Sequence, residues 1–307
     1  MCAFPLSDLS PMTLGTVQIG RTYGKADPTA PPTEEEAQAI FDLAWAGGIA
    51  CFDTARNYGE AEHRIGAWLA RGGKRPLLIS KAPPFVGVAN DDAPEFLRRN
   101  FAKSIATLGV DRLDGYMIHR ADDLYLPGVA DALRNLVAKG RVGAIGVSVY
   151  LPEQLEQALR VRGVELVQAP VSALDQRLTD RGLLDRCREA GVAVFARSIF
   201  LQGVFFLEPN RLPAYLAPVR PALDRLKRLA AEVGCSLAAL ALAAVLRLPG
   251  VVTTVVGVNR KEQLRANLKA LAEMPGEDVA AEARRVARGV PEQLLDPRRW
   301  PGPRPAS

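Results

Sequence analysis

Short apolar runs alternate with amphipathic stretches along nearly the whole chain. The runs are Thr13–Val17, Gly48–Asp53 (GIACFD), Pro76–Lys81 (PLLISK), Leu113–His119 (LDGYMIH), Val142–Val147, Val164–Gln168, Val192–Ala196 and Val252–Gly257. None alternates strictly between apolar and polar positions, which is the pattern of parallel strands buried on both faces. Helical periodicity fills the gaps at Thr33–Ala46, Ala93–Leu108, Pro127–Lys139, Pro152–Leu159, Gly182–Ala190 and Ser236–Leu248. Thr33 with Glu36 forms a capping box, and Ala37, Ile40, Phe41 and Ala44 fall on one face of the helix it opens. Gly109 supplies a stop for the Ala93 helix. A further helix near Pro221–Val233 reads as an insertion before the Ser236 helix.

Eight strands, each followed by a helix, predict an α/β fold closed as a (β/α)₈ TIM barrel. The 307 residues suit that fold, which needs ~250 plus loops. No polar or Gly/Pro-rich stretch divides the interior, so one domain over 1–307 is expected, ending in a loose tail at Pro301–Ser307. An open doubly wound sheet is the alternative, and it would carry a Gly-rich turn between a strand and a helix. The run Gly140–Gly146 (GRVGAIG) leads into a strand instead, the context of a helix stop and a tight turn.

Composition narrows the function classes. Hydrophobic residues make 48% and charged residues 24%, a globular balance. The net charge of +5 comes from Lys and Arg interleaved with acids, and aromatics are only 6%, which suits an enzyme meeting anionic cofactors rather than nucleic acid. Cys2, Cys51, Cys187 and Cys235 form no C-x-x-C pair and lie far from the two histidines, so no metal site is expected. Cys51 reads as a small core residue. Met1–Leu9 lacks a basic start and a long apolar stretch, and no segment holds the ~20 apolar residues of a membrane span; a reduced cytoplasmic protein is expected.

Barrel active sites lie at the C-terminal ends of the strands. Those ends carry Asp53, Lys81 and His119, and Tyr58 follows in DTARNYG. Each alone has an ordinary structural role: a strand-end cap, a solvated amine, a satisfied core histidine, a packed aromatic. Together they are what carbonyl reduction requires. Hydride attack leaves charge on oxygen, so an acid must protonate it. A tyrosine titrates near 10, and a nearby ammonium would lower that value. Lys81 supplies the ammonium, Asp53 holds it, and His119 hydrogen-bonds and orients the substrate oxygen. His63, on a helical pattern, reads as surface.

From about Leu14 to Leu271 the chain resembles the aldo-keto reductase family. The resemblance is carried by GTVQ at Gly15–Gln18, DTARNYG at Asp53–Gly59, Ser80-Lys81 and YMIHR at Tyr116–Arg120. It implies hydride transfer between a nicotinamide cofactor and an aldehyde, ketone or sugar, with Asp53, Tyr58, Lys81 and His119 as the catalytic set. Gly15 and Thr16 belong to the first-strand motif that faces the cofactor. Ser148 and Gln168 match positions holding the nicotinamide carboxamide. The segment RSIFLQG, with Arg197, Ser198, Phe200, Gln202 and Gly203, resembles the loop over the pyrophosphate. The segment GVNRKEQLRAN, with Gly257, Asn259, Gln263 and Asn267, resembles the adenosine-binding segment. The RSIFLQG and GVSVY variants are similar to a bacterial branch.

Three positions depart from the family pattern. Val149 stands where Asn is frequent. Arg197 stands where an aromatic usually stacks on the nicotinamide, and it either lies flat on that ring or turns sideways to a phosphate or anionic substrate. Gly257 and Val258 stand where many members place Lys and Ser for a 2′-phosphate. NADP is expected, from Arg260 and Lys261 near the adenosine end, with NAD the alternative. Specificity is expected from Pro83–Asp92, Asp122–Leu126, Phe205–Pro218 and Val290–Trp300, acting on a small carbonyl or sugar substrate. The other readings are a cofactor-binding regulatory protein similar to channel β-subunits, and a barrel lyase or isomerase recycling its nicotinamide.

Overall fold

Strands β1 (Met12–Gly15), β2 (Cys51–Asp53), β3 (Leu77–Ala82), β4 (Leu113–Ile118), β5 (Val142–Ser148), β6 (Val164–Pro170), β7 (Ala193–Arg197) and β8 (Val251–Gly257) pair in chain order. All pairs are parallel, and β8 returns to β1 to close the barrel. This is a computed structural model, and it describes residues 4–24, 28–208 and 210–301. Cys2 and all but the first residue of the tail at 301–307 lie outside the described residues.

The helices are α1 (Val17–Gly20), α2 (Glu34–Ala46), α3 (Ala61–Ala70), α4 (Ala93–Leu108), α5 (Val129–Ala138), α6 (Pro152–Ala158), α7 (Arg177–Asp180), α8 (Leu183–Glu189), α9 (Arg220–Glu232), α10 (Leu237–Leu246), α11 (Lys261–Ala272) and α12 (Glu277–Val286). The Thr33–Glu36 capping box at α2 forms as the sequence implies. Gly109 ends α4 in the left-handed region.

Several boundaries move for local reasons. Strand β1 stops at Gly15 rather than Val17, because Thr16 turns out of the sheet, donates its hydroxyl to the Asp53 carbonyl at 2.9 Å, and opens α1. Strand β2 starts at Cys51 rather than Gly48, whose φ of +80° belongs to the turn after α2. Helix α5 starts at Val129 rather than Pro127, behind a left-handed Gly128. Helix α12 was not expected at all. Its buried face is Ala280 and Ala283, too small to stand out as an apolar stripe.

The barrel interior is filled by Cys51, Ile79, Met117, Ala144, Leu166, Ala193 and Phe195, with Phe4 set edge-on to Phe195 at 5.6 Å. A second layer packs strands against helices; there Trp68 of α3 packs against both Phe52 and Phe41, at 5.2 and 5.8 Å. A third cluster joins α9, α10 and α12 to the C-terminal segment through Leu223, Leu240, Ala283 and Trp300. Among the described residues no single helix is long and apolar enough to cross a membrane. Each strand ends at the same rim, and that rim carries the chemistry.

Candidate active site

Asp53 closes β2, Lys81 lies near the end of β3, and His119 is the first residue after β4. These strands are neighbours, so barrel closure gathers the three side chains at one mouth. Lys81 Nζ donates to both Asp53 oxygens, at 2.7 and 2.8 Å, and to the Thr54 carbonyl at 3.0 Å. Both side chains are sealed from water, at 0% and 3% exposure. Gln168, from β6, donates its amide to Asp53 Oδ1 at 2.9 Å. The ion pair is therefore a fixed unit: withdrawal from water penalises each charge, and only the partner offsets it.

Tyr58 reaches this unit from the loop after β2. A close approach of two glycines sets its main chain. A Cβ on Gly20 would sit 1.7 Å from the Tyr58 carbonyl oxygen, and one on Gly59 would sit 2.2 Å from the Gly20 carbonyl. Lys81 Nζ lies 5.1 Å from the Tyr58 ring centroid, and His119 packs edge-on to the same ring at 5.5 Å. His119 Nδ1 is 3.0 Å from Asn57 Oδ1. With that carbonyl oxygen accepting, the ring proton sits on Nδ1 and Nε2 keeps its lone pair.

The titration behaviour corrects one expectation. An ammonium was expected to lower the Tyr58 pKa; burial instead pushes it up, and the Asp53 carboxylate adds to the rise, against a smaller pull from Arg197 and Arg21. Lys81 does not act as a lone cation, because Asp53 lies against it. Burial lowers the Lys81 pKa, with Asp53 opposing. His119 is pushed down to about 3 by burial, then by Lys81 and Arg197, so its imidazole is neutral. Burial also raises Tyr23, beside Tyr58, to about 12.

A cleft of about 490 Å³ runs from Asp53, Tyr58 and Gln168 to Gly257, Asn259, Gln263 and Asn267. Gly15, Thr16, Arg197, Ser198, Phe200, Gln202 and Gly203 line it between those ends. Ser148 at the end of β5 and Lys81 on β3 are buried, and these two and the half-buried His119 are not among the residues that line the cleft. Ser198, Leu201 and Gln202 hold positive φ, which L-residues seldom adopt, so the loop after β7 is held in an uncommon shape. At the far end the side-chain oxygen of Asn259 is buried without a partner. A long cleft with an orphaned acceptor at its distal end fits a dinucleotide. At Gly257, one departure from the family pattern, a Cβ would lie 1.8 Å from Gln18 Oε1, so a side chain there would have to displace the Gln18 amide. Among metal-ligating types, no group of three or more that could hold an ion occurs in the described residues.

Sequence reasoning missed several contributors. Asn57 lies inside DTARNYG but has no chemistry until His119 folds onto it. Glu62, 1% exposed on α3, accepts from Arg56 at 2.6 Å and Ser80 at 2.7 Å, anchoring the loop that carries Tyr58. Arg197 does not extend alone over the cleft: its Cζ sits 4.0 Å from the Tyr150 ring centroid, and Nη2 donates to the Val149 carbonyl at 2.8 Å. His63 is exposed and Cys51 is buried, as their sequence settings imply.

A profile described as the Aldo/keto reductase family matches residues 11–284. D-threo-aldose 1-dehydrogenase of Pseudomonas sp is 30% identical over 79% of this chain and 85% of its own length. Aldo-keto reductase str7 of Strobilurus tenacellus is 30% identical over 65% of this chain, and the match spans 60% of that protein. Among solved structures, an aldo-keto reductase from Bacillus halodurans superposes with a TM-score of 0.76 at 23% identity, covering 94% of this chain and 96% of that one.

Proposed function

The chain belongs to the aldo/keto reductase family, a family of nicotinamide-dependent oxidoreductases, and from that premise we propose that it reduces a small aldehyde, ketone or sugar carbonyl with Tyr58 as general acid. The observation that carries this reading is the buried Lys81–Asp53 pair set beneath the Tyr58 ring at the head of a dinucleotide-sized cleft. The bound nicotinamide would supply the hydride; of the cleft-lining residues, Gln168 would hold its amide, Ser198, Gln202 and Gly203 would meet the phosphates, and Asn259, Gln263 and Asn267 the adenosine end.

The residues of the chain do the proton work. Burial keeps the Tyr58 hydroxyl protonated across the neutral range, so the acid is loaded before reduction begins. As the proton leaves Tyr58 Oη for the carbonyl oxygen, negative charge appears on the phenol. The Lys81 ammonium, held by Asp53, is already in place to stabilise that charge. Its contribution therefore falls mainly on the transition state rather than on the resting pKa. His119 stays neutral, and its Nε2 accepts from a substrate hydroxyl to orient the reacting carbon. Ser148, buried at the end of β5, would hold the nicotinamide carboxamide together with Gln168.

We propose NADPH as the preferred cofactor, with NADH the alternative. Since Gly257 and Val258 supply no cation, a 2′-phosphate would be met by Arg260 and Lys261 at the start of α11. Glu36 interacts electrostatically with both, which moderates the preference.

The test is oxidation of NADPH or NADH by the purified protein over a carbonyl panel. Tyr58→Phe should leave cofactor affinity nearly intact and lower the rate by ~10² or more. Near wild-type turnover in that variant would remove Tyr58 as the acid. Tight cofactor binding without any turnover would support a regulatory role instead. Substrate conversion without net cofactor consumption would support internal recycling.

A further inference from the structure

The charges nearest the acid do not cancel. Lys81 is matched by Asp53 at 2.7 Å, and His119 is neutral. Arg197, at the end of β7, lines the same cleft as Tyr58, and no carboxylate lies within ion-pair distance of it among the described residues. Its hydrogen bonds go to the Val149 carbonyl at 2.8 Å and the Ser198 hydroxyl at 3.4 Å, neither of which neutralises it. Its position is set, with its Cζ 4.0 Å from the Tyr150 ring centroid. A second guanidinium shares that ring. Arg298, from the C-terminal segment, lies 3.7 Å from the Tyr150 centroid and is oriented by buried Asp296, which accepts from its Nε and Nη2 at 2.9 and 2.7 Å. Tyr150 in turn interacts electrostatically with Tyr58, Lys81 and Tyr23, so the stack stands beside the reacting centre rather than on a remote surface.

We propose that the physiological carbonyl substrate carries an anionic group, a carboxylate or a phosphate, received by Arg197 with Arg298 as the outer cation; this rests on the reductase reading. Three physical arguments support it. An uncompensated cation in a partly dry cleft is unfavourable until a counter-charge arrives, so an anionic substrate gains more there than a neutral one. A planar guanidinium held on an aromatic face loses little freedom when it grips an oxyanion. A neutral aldehyde gives no reason to gather two guanidiniums on one tyrosine beside the acid. The C-terminal segment, carrying Arg298 and Trp300, would thus select the charge of the substrate as well as its size. The same cation would also disfavour an oxidised, positively charged nicotinamide, so it biases the cleft toward reduction.

The test uses the full chain, with whichever of NADPH or NADH supports turnover, on matched pairs: 5-oxopentanoate against pentanal for a carboxylate, and glyceraldehyde 3-phosphate against glyceraldehyde for a phosphate. The readout is the ratio of kcat/KM, charged over neutral. We expect a ratio of ~10 or more in one pair, residing mainly in KM and shrinking as salt rises; the pair that shows it identifies the anion. Arg298→Gln should lower the ratio several-fold, Arg197→Gln should bring it toward one, and Arg197→Lys should retain part of it. A wild-type ratio near one in both pairs, or a high ratio that survives Arg197→Gln, overturns the proposal while leaving carbonyl reduction in place. Absence of turnover with all four compounds and both cofactors overturns the reductase reading and this proposal with it.

Discussion

The neutral state of the half-buried His119 makes acid sensitivity a quantitative prediction. Its folded pKa is depressed from 6.5 to about 3. Well above 6.5 both the folded and the unfolded imidazole are uncharged, and the group leaves stability unaltered. As the pH falls below 6.5 the unfolded chain takes up a proton that the folded site refuses. Stability therefore drops through the window from 6.5 toward 3. Between about pH 7 and about pH 5 the loss is ~2 kcal/mol, because the unfolded ring becomes nearly fully protonated while the folded ring stays neutral. Urea unfolding followed by tryptophan fluorescence reads this directly, since Trp68 is buried between the barrel and its helices and Trp300 in the C-terminal cluster. The wild-type midpoint should fall by on the order of half a molar over that interval. His119→Gln should remove most of the fall, whereas His63→Gln, a change on the exposed face of α3, should keep it. The chain has two histidines, so the pair of variants separates the His119 contribution from that of the other imidazole. An equal pH dependence in wild type and His119→Gln would refute the burial argument.

Four further outcomes follow from the same geometry. Lys81→Met leaves Asp53 buried without its cation and should cost about 3–5 kcal/mol in chemical denaturation, as well as lowering the rate and altering its pH profile; an unchanged rate and profile would remove Lys81 from proton transfer. Asp53→Asn keeps a hydrogen-bonding partner for Lys81 and should slow reduction less than Lys81→Met, as measured by kcat on one good substrate. Gly20→Ala places a methyl group against the Tyr58 main chain, and should lower stability by about 1–3 kcal/mol and reduce kcat, with thermal unfolding and steady-state rates as the readouts. Neutralising Arg260 and Lys261 together should raise KM for NADPH more than for NADH; equal effects on both would sink the 2′-phosphate assignment.

Much of this molecule was legible in its residues. Eight apolar runs with helical patterns between them specify the strand order, because a strand buried on both faces leaves a continuous hydrophobic signature whatever its neighbours are. The placement of Asp53, Lys81 and His119 near strand ends was legible for the same reason: an ionisable residue that terminates an apolar run marks the rim. Boundaries failed where a single residue outweighed the pattern, as at Gly48 and Gly128, or where burial falls on alanines, as in α12. The electrostatics of the site were decided only in three dimensions. Whether Lys81 acts on Tyr58 as a bare charge depends on Asp53, 28 residues away in the chain. The tautomer of His119 depends on Asn57, 62 residues away. The company of Arg197 depends on Tyr150 and on Arg298 from the far end of the chain. Periodicity reports which face of an element avoids water. It carries no information about which charges barrel closure presses together, or how far closure withdraws them from water, and at the rim both act on Tyr58, Lys81 and His119.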